Sequence, residues 1–443
     1  MKTPIYDFLK QYAERDGARL HMPGHKGHGP LGIEALDITE VKGADVLGEA
    51  TGIIGESEAN AASLFNTGKT LYFTGGSTSA IFAMLALARS RFATAERTFI
   101  LASRNAHRAF LHGVALLDIP VSFMLPKNAD AAYSGVMTPS EVDAALTSAP
   151  SLPFAVYITS PSYLGEMWDI GGIAEVCKRQ GVPLLVDNAH GAYLAFLSPS
   201  LHPIAKGALM CADSAHKTLP VLTGGAYLHI AKGEEWLYEK AKNAASLFSS
   251  TSPSYLILAS LDLANRTLAD GYPSHIAKTA ERIKGVKERL TAAGFTVLPS
   301  EPFKITLSIK DAPLLAEKAR CKGIECEFAD PTHLVFMASA ENKMSDFDFL
   351  EQVLLPLAPK FPAPTPPPRP HLGAPVLSVR EALFAPKERV ALKDAVGRIY
   401  AEISASCPPA VPIAVCGERI EKETVEAFLY YGIDEISVVK NNA

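Results

Sequence analysis

An α/β architecture on a mainly parallel sheet follows from three features of the 443-residue sequence. Short β-branched or apolar runs recur from about residue 70 to residue 230. Most of them end in polar or small residues. Helical segments lie between them, which is the alternation that builds a parallel sheet with crossover helices.

The elements follow in chain order. Residues 1–50 are rich in Gly and His and only weakly periodic. ESEANAASLFNTG reads as a helix with Gly68 just past its end. LYFTGGSTSAIFAMLALARSRF reads as a short strand, a Gly/Ser/Thr turn and a long apolar helix. RTFILAS, GVALLDI, FAVYITS and VPLLVDNAH are strand candidates, and PSEVDAALTSA and GGIAEVCKRQG are helices between them. MCADSAHKTLPVLTGGAYLHI adds two more strands. SSTSPSYLILASLDLANRTLADGY is helical and closes this region near 272. SHIAKTAERIKGVKERLTAAG has the period of one long amphipathic helix. FTVLPSEPFKITLSI to THLVFMAS suggests a smaller α/β domain. FPAPTPPPRP, residues 361–370, holds six prolines in ten residues and reads as an extended linker. The tail has a helix pattern in REALFAPKERVALKDAVGRI. These features divide the chain into an N-terminal segment (1–50), a large domain (51–272), a small domain (273–358), a linker (359–375) and a C-terminal domain (376–443).

Composition narrows the function classes. Apolar residues make up 48% and charged residues 20%, so a wholly disordered chain is excluded. The formal charge of −5 gives no reason to expect nucleic acid or anionic membrane as a partner. The N-terminal stretch has no apolar signal-type core, with charges from Lys2 through Arg19. The best apolar run, Leu111 to Leu125, is interrupted by His112 and Asp118. A soluble cytoplasmic protein is the expectation. Six cysteines are too few for a disulfide framework at this length. Cys321 and Cys326 lack a second pair at zinc-site spacing, so no metal is expected.

Three segments carry chemistry. DSAHKTLPVLTGG, residues 213–225, sets Lys217 in a turn beside Ser214, His216 and Thr218. A lysine at a strand end suits a Schiff base to a carbonyl cofactor, although most such lysines are solvated surface charges. In VPLLVDNAHGAYL, Asp187 follows an apolar strand, where open α/β sheets gather their sites. A carboxylate there could hold a protonated pyridine nitrogen; a turn-capping aspartate is the plainer alternative. His190 could reach the same cofactor or bond its own loop. In FTGGSTSAIFAML, Gly75 and Gly76 allow close backbone approach, Ser77, Thr78 and Ser79 offer hydroxyls, and a helix begins directly after them. That suits a phosphate, while simple N-capping by Ser77 or Thr78 is the competing explanation. Phosphate turn, carboxylate after a strand, then lysine about 30 residues on is the order found in pyridoxal-phosphate enzymes of the aspartate-aminotransferase fold.

The sequence also resembles a narrower group, the bacterial Orn/Lys/Arg decarboxylases in their short form without an N-terminal wing. The resemblance rests on LHMPGHKG (20–27), LDITEVKGADVL (36–47), GGSTSA, SRNAHRAF (103–110), TSPSYLGEMWDI, DNAHGAY and SAHKTLP. The tail REALFA…GRI…PP-x-x-P…GERI extends it over nearly the whole chain. It implies a fold-type I enzyme with a seven-stranded-type sheet in the large domain and smaller α/β C-terminal domains. It implies pyridoxal 5'-phosphate as cofactor, a basic amino acid as substrate, and a homodimer or larger homo-oligomer. Residue by residue, Lys217 would form the internal aldimine and Asp187 would pair with the pyridine nitrogen. His107 would stack on the ring, and His190 would sit near the cofactor. Ser77, Thr78, Ser214 and His216 would hold the phosphate, and His216 or Lys217 would return a proton to Cα. Tyr163 and Glu418 are candidates for the substrate pocket. His25 and Lys26 could reach a partner subunit's site, or simply form a surface loop.

The sequence departs from this family at several positions. Leu164 replaces a second tyrosine, and Asn188 stands where Glu is usual. Cys407 replaces tyrosine and Ala410 glycine in the P-Y-P-P-G-I-P segment, and Cys416 replaces the proline of P-G-E. The C-terminal changes fall where that domain is expected to approach the substrate side chain, so arginine, lysine and ornithine all stay open. Two further functions compete. One is another reaction on the same fold (aminotransferase, lyase or aldolase), for which Arg320 or Arg380 could grip an α-carboxylate. The other is a non-catalytic paralogue.

Overall fold

The computed structural model describes residues 1–129, 131, 133–360, 364–403 and 411–441. Thirteen strands are present among them: β1 (Lys69–Phe73), β2 (Ile100–Ser103), β3 (Val121–Met124), β4 (Ala155–Thr159), β5 (Leu184–Asp187), β6 (Met210–Asp213) and β7 (Ala226–Ile230), then β8 (Thr296–Leu298), β9 (Lys304–Ser308), β10 (Phe328–Ala329), β11 (His333–Met337), β12 (Lys387–Ala391) and β13 (Glu435–Val439). The chain divides into two compact units, Met1–Arg91 with Leu185–Ala277, and Phe92–Leu184 with Lys278–Ala443.

In the first unit the strand order is β1-β7-β6-β5. β5 and β6 are parallel, whereas β7 runs antiparallel to both β6 and β1. The reversal has a local cause. Residues 214–225 turn the chain back directly, with no long crossover helix to return it to the same direction. β5, β6 and β7 are buried at every position, so LLVD, MCAD and AYLHI read as continuous runs rather than alternating ones. The helix Ile53–Leu64 starts and stops earlier than its sequence pattern suggests. Its left-handed exit residue is Asn66, with φ +55°, and Gly68 already donates its N–H to Ile230 at the sheet edge (2.8 Å).

The weakly periodic N-terminus contains a helix, Pro4–Ala13, anchored from a distance. Asp262 on the helix Tyr255–Ala269 accepts the N–H groups of Ile5 (2.9 Å) and Tyr6 (3.0 Å), and Ser57 Oγ donates to its other oxygen (2.6 Å). Two of the orphan donors of that helix start are satisfied by this one side chain.

The second unit contains β4-β2-β3, all parallel, followed by the four-stranded antiparallel sheet β10-β11-β9-β8 and the pair β12-β13. GVALLDI, expected as a strand, is instead the end of the helix Arg108–Leu117. Phe110, Leu111, Val114 and Ala115 are all buried, which is helical spacing. The strand lies after it, in the half-exposed run VSFM. The expected tail helix stops at Phe384, two residues before Pro386, and KERVA forms β12 instead. The two C-terminal strands cover a core of Leu392, Tyr400, Ile420, Phe428, Ile436 and Val438.

Candidate active site

The turns after β5 and β6 bring together five of the residues singled out in the sequence: Asp187, His190, Ser214, His216 and Lys217. Asp187 is the last residue of β5 and 1% exposed, and its Oδ1 accepts the N–H of Ala189 at 3.1 Å. Three residues on, His190 Nε2 lies 2.8 Å from Lys217 Nζ. Lys217 sits in the one-turn helix Ala215–Thr218, which follows β6 and is entered through Ser214. Ser214 is buried, and its Oγ donates to Ser77 Oγ at 2.7 Å.

Ser77 and Thr78 lie inside the first turn of the helix Gly76–Phe92, which starts before the hydroxyl residues and not after them as the sequence suggested. They therefore do not occupy the N-cap position. Gly76 adopts φ +75° and donates its N–H to Gly224 O (2.8 Å). A Cβ on Gly76 would meet nothing within 4 Å, so the space in front of this helix start is open. Gly224 has φ +97°, and a Cβ there would lie 2.8 Å from Thr74 O. Only glycine satisfies both constraints.

His216 takes a different posture from its neighbours. Its ring Nδ1 is 3.1 Å from Gly225 O, so Nδ1 carries the proton and Nε2 is the basic atom. Burial lowers its pKa, the Gly225 carbonyl opposes that, and the Lys217 charge lowers it further. The ring is therefore neutral at neutral pH.

Three predicted residues belong to the second unit. His107 is the N-cap of the helix Arg108–Leu117, its Nδ1 accepting the Ala109 N–H at 3.1 Å. Tyr163 donates to Glu327 Oε1 (3.2 Å) and packs edge-on against Phe328. Beside it Leu164, in place of tyrosine, fills a cluster with Ala131, Tyr133, Val335 and Val411. Glu418 is buried and accepts the Val415 N–H at 2.9 Å. Burial raises its pKa, and the buried guanidinium of Arg104 opposes the rise. Arg104 itself donates to Pro412 O (2.9 Å) and Ile413 O (2.8 Å). Cys416 is buried with its thiol pushed up to about 12 by burial, an inert state. Cys407 and Ala410 lie outside the described residues.

Sequence reasoning missed the group beneath these turns. Asp213, His202, His229 and Cys211 are all buried. Asp213 Oδ2 is 3.0 Å from His202 Nε2 and 3.4 Å from His229 Nε2, and its Oδ1 accepts from Asn188 Nδ2 at 2.7 Å. The available signal was an aspartate directly before the lysine turn, at the end of a wholly apolar strand.

The residues fit pyridoxal phosphate. An amine with a basic partner, a buried carboxylate at a strand end, paired serine hydroxyls and an open helix start are the features that cofactor needs.

The family profile described as Orn/Lys/Arg decarboxylase, major domain, matches residues 3–306, and that of the C-terminal domain matches residues 373–435. The chain is 27% identical over 468 residues to an arginine decarboxylase of Bacillus subtilis (strain 168), covering 98% of this chain and 94% of that one. It is 28% identical over 459 residues to an arginine decarboxylase of Halalkalibacterium halodurans, covering 96% and 92%. The constitutive lysine decarboxylase of E. coli superposes with a TM-score of 0.79 at 19% identity, over 99% of this chain and 82% of that one, a likeness of fold. The chain belongs to the Orn/Lys/Arg decarboxylase family of fold-type I, pyridoxal-phosphate-dependent amino-acid decarboxylases.

Proposed function

We propose that this protein removes the α-carboxylate of a basic amino acid, releasing CO2 and the corresponding amine, with pyridoxal phosphate held at Lys217. The observation that carries the reading is the 2.8 Å contact of Lys217 Nζ with His190 Nε2, on turns that also hold Asp187 and Ser214, the latter bonded to Ser77. Lys217 would hold the cofactor covalently, Asp187 its pyridine nitrogen, and Ser77, Thr78, Ser214 and His216 its phosphate, with His107 against the ring. When bound, the cofactor supplies the sink for the electron pair left at Cα as CO2 departs.

The chain's own groups do the rest. His190 Nε2 takes a hydrogen bond from Lys217 Nζ and orients that amine. Asp187, almost wholly buried, offers a carboxylate in a low-dielectric setting where its attraction for a protonated nitrogen is strong. Lys217 is the better candidate for returning a proton to Cα. His216 has one ring nitrogen committed to Gly225, and its lowered pKa leaves the other unprotonated. The arginine decarboxylases matched end to end make arginine the first substrate to try, with lysine and ornithine beside it.

An aminotransferase has less support. Arg380 donates to Ala115 O and Leu116 O, and Arg320 pairs with Glu317 and Glu325, so both candidate carboxylate grips are engaged. Borohydride reduction of the holoenzyme followed by peptide mass analysis tests the assignment. A pyridoxyl adduct on Lys217, and turnover abolished in Lys217→Ala, are expected. An adduct elsewhere, or full turnover in that variant, refutes it.

A further inference from the structure

The carboxylate of Asp213 ends β6, one residue before Ser214, and the Asn188 side chain follows Asp187 at the end of β5. Their 2.7 Å hydrogen bond therefore joins the two site-bearing turns. The backbone repeats the link, with Asn188 N–H donating to Ala212 O at 2.9 Å.

The direction of the amide is forced. Burial alone would raise the Asp213 pKa, but His202 and His229 hold it well below the ordinary carboxylate range. An ionised carboxylate only accepts hydrogen bonds, so Asn188 must present its NH2 to it. Asn188 Oδ1 then points the other way, under the backbone of Gly191, where a Cβ would lie 2.0 Å from it. Gly191 N–H closes the turn on Asn188 O at 2.8 Å. His190, which touches Lys217, sits in this turn.

The pairing also explains a departure from the family pattern. A glutamate at 188, as the resemblance would have it, would set a second carboxylate against the buried Asp213, and two such anions repel. Asparagine is the residue that matches an aspartate at 213.

We propose that Asn188 and Asp213 form a positioning pair. Asp213, steadied by His202 and His229, orients the Asn188 amide, and that amide sets the 187–191 turn so that Asp187 and His190 meet the cofactor and Lys217. Neither residue touches the reacting atoms. The inference rests on the proposed function for its purpose, and its test has one arm that does not.

That arm uses cofactor-free protein: the pH dependence of acetic-anhydride labelling at Lys217, read by peptide mass. The second arm uses holoenzyme: the pH titration of the visible cofactor band, with kcat and KM. Asn188→Ala and Asp213→Asn are compared with wild type in both. Each variant is expected to shift both titrations, and to lower kcat about tenfold or more while KM changes little, as misplacing a site by a fraction of an ångström does. Wild-type titrations and kcat in both variants overturn the pair. So does lowered thermal stability with unchanged titrations, which is a structural role only. A stoichiometric divalent metal in the wild type, lost in Asp213→Asn, overturns it by making His202, Cys211 and Asp213 ligands instead. Wild type that labels as expected but takes up no cofactor refutes the proposed function and leaves the labelling arm to judge the pair.

Discussion

Replacing Arg104 by methionine should unfold the C-terminal domain's attachment more than any single surface change. The side chain is 1% exposed and spans two backbone carbonyls of the 411–413 segment, Pro412 O and Ile413 O. Its charge also opposes the rise that burial causes in the pKa of the buried Glu418. Hydrogen bonds from a charged donor contribute about 1.5–3 kcal/mol each. Methionine would also leave two buried carbonyls without a donor, and each unmet buried group costs about 1–3 kcal/mol. These effects overlap, so the expected loss is about 2–4 kcal/mol in total. Methionine fills much of the aliphatic volume, which keeps the cavity term small. Urea unfolding of Arg104→Met, followed by a probe in the C-terminal domain, measures it. A loss under about 1 kcal/mol would refute this account of the Arg104 contacts.

Two further predictions concern pH and the N-terminus. His112, His216 and His229 all have pKa values lowered chiefly by burial. At these three histidines the unfolded chain then binds more protons than the folded one once pH drops below about 6.5, so their contribution to stability falls from there downward. A urea midpoint lower near pH 5.5 than near pH 7.5 is expected, and an unchanged midpoint would contradict it. Asp262→Ala should free the helix Pro4–Ala13 by removing the acceptor of Ile5 and Tyr6, at a cost of about 1–3 kcal/mol. Amide exchange of Ile5 and Tyr6 should accelerate in that variant while β6 stays protected; unaltered exchange would contradict the cap.

The parts of the fold legible in the sequence are those whose cause is local. β5, β6 and β7 announce themselves as apolar runs because every position is buried. The Lys217 turn stands out because polar residues interrupt such runs. GVALLDI misleads for the same reason: a short apolar run carries no period long enough to separate a buried helix end from a strand. β3 is missed because its half-exposed VSFM has little contrast. The helix Pro4–Ala13 depends on Asp262, far along the chain, and no local pattern can report that. Asp213 itself stands before the lysine turn, but its pairing is illegible for a similar reason. Its partners at 188, 202 and 229 are loop or strand residues that meet only through the sheet order. The motif marks His190 as a cofactor neighbour, but its contact with Lys217 depends on how the two turns meet in space.

The most direct test of the central claim is product analysis. Purified protein with pyridoxal phosphate is incubated with all standard amino acids plus ornithine, and the products are read by mass spectrometry. Agmatine, cadaverine or putrescine, absent with Lys217→Ala, is the predicted result and names the substrate. A keto acid, or no product despite bound cofactor, would contradict decarboxylation of a basic amino acid.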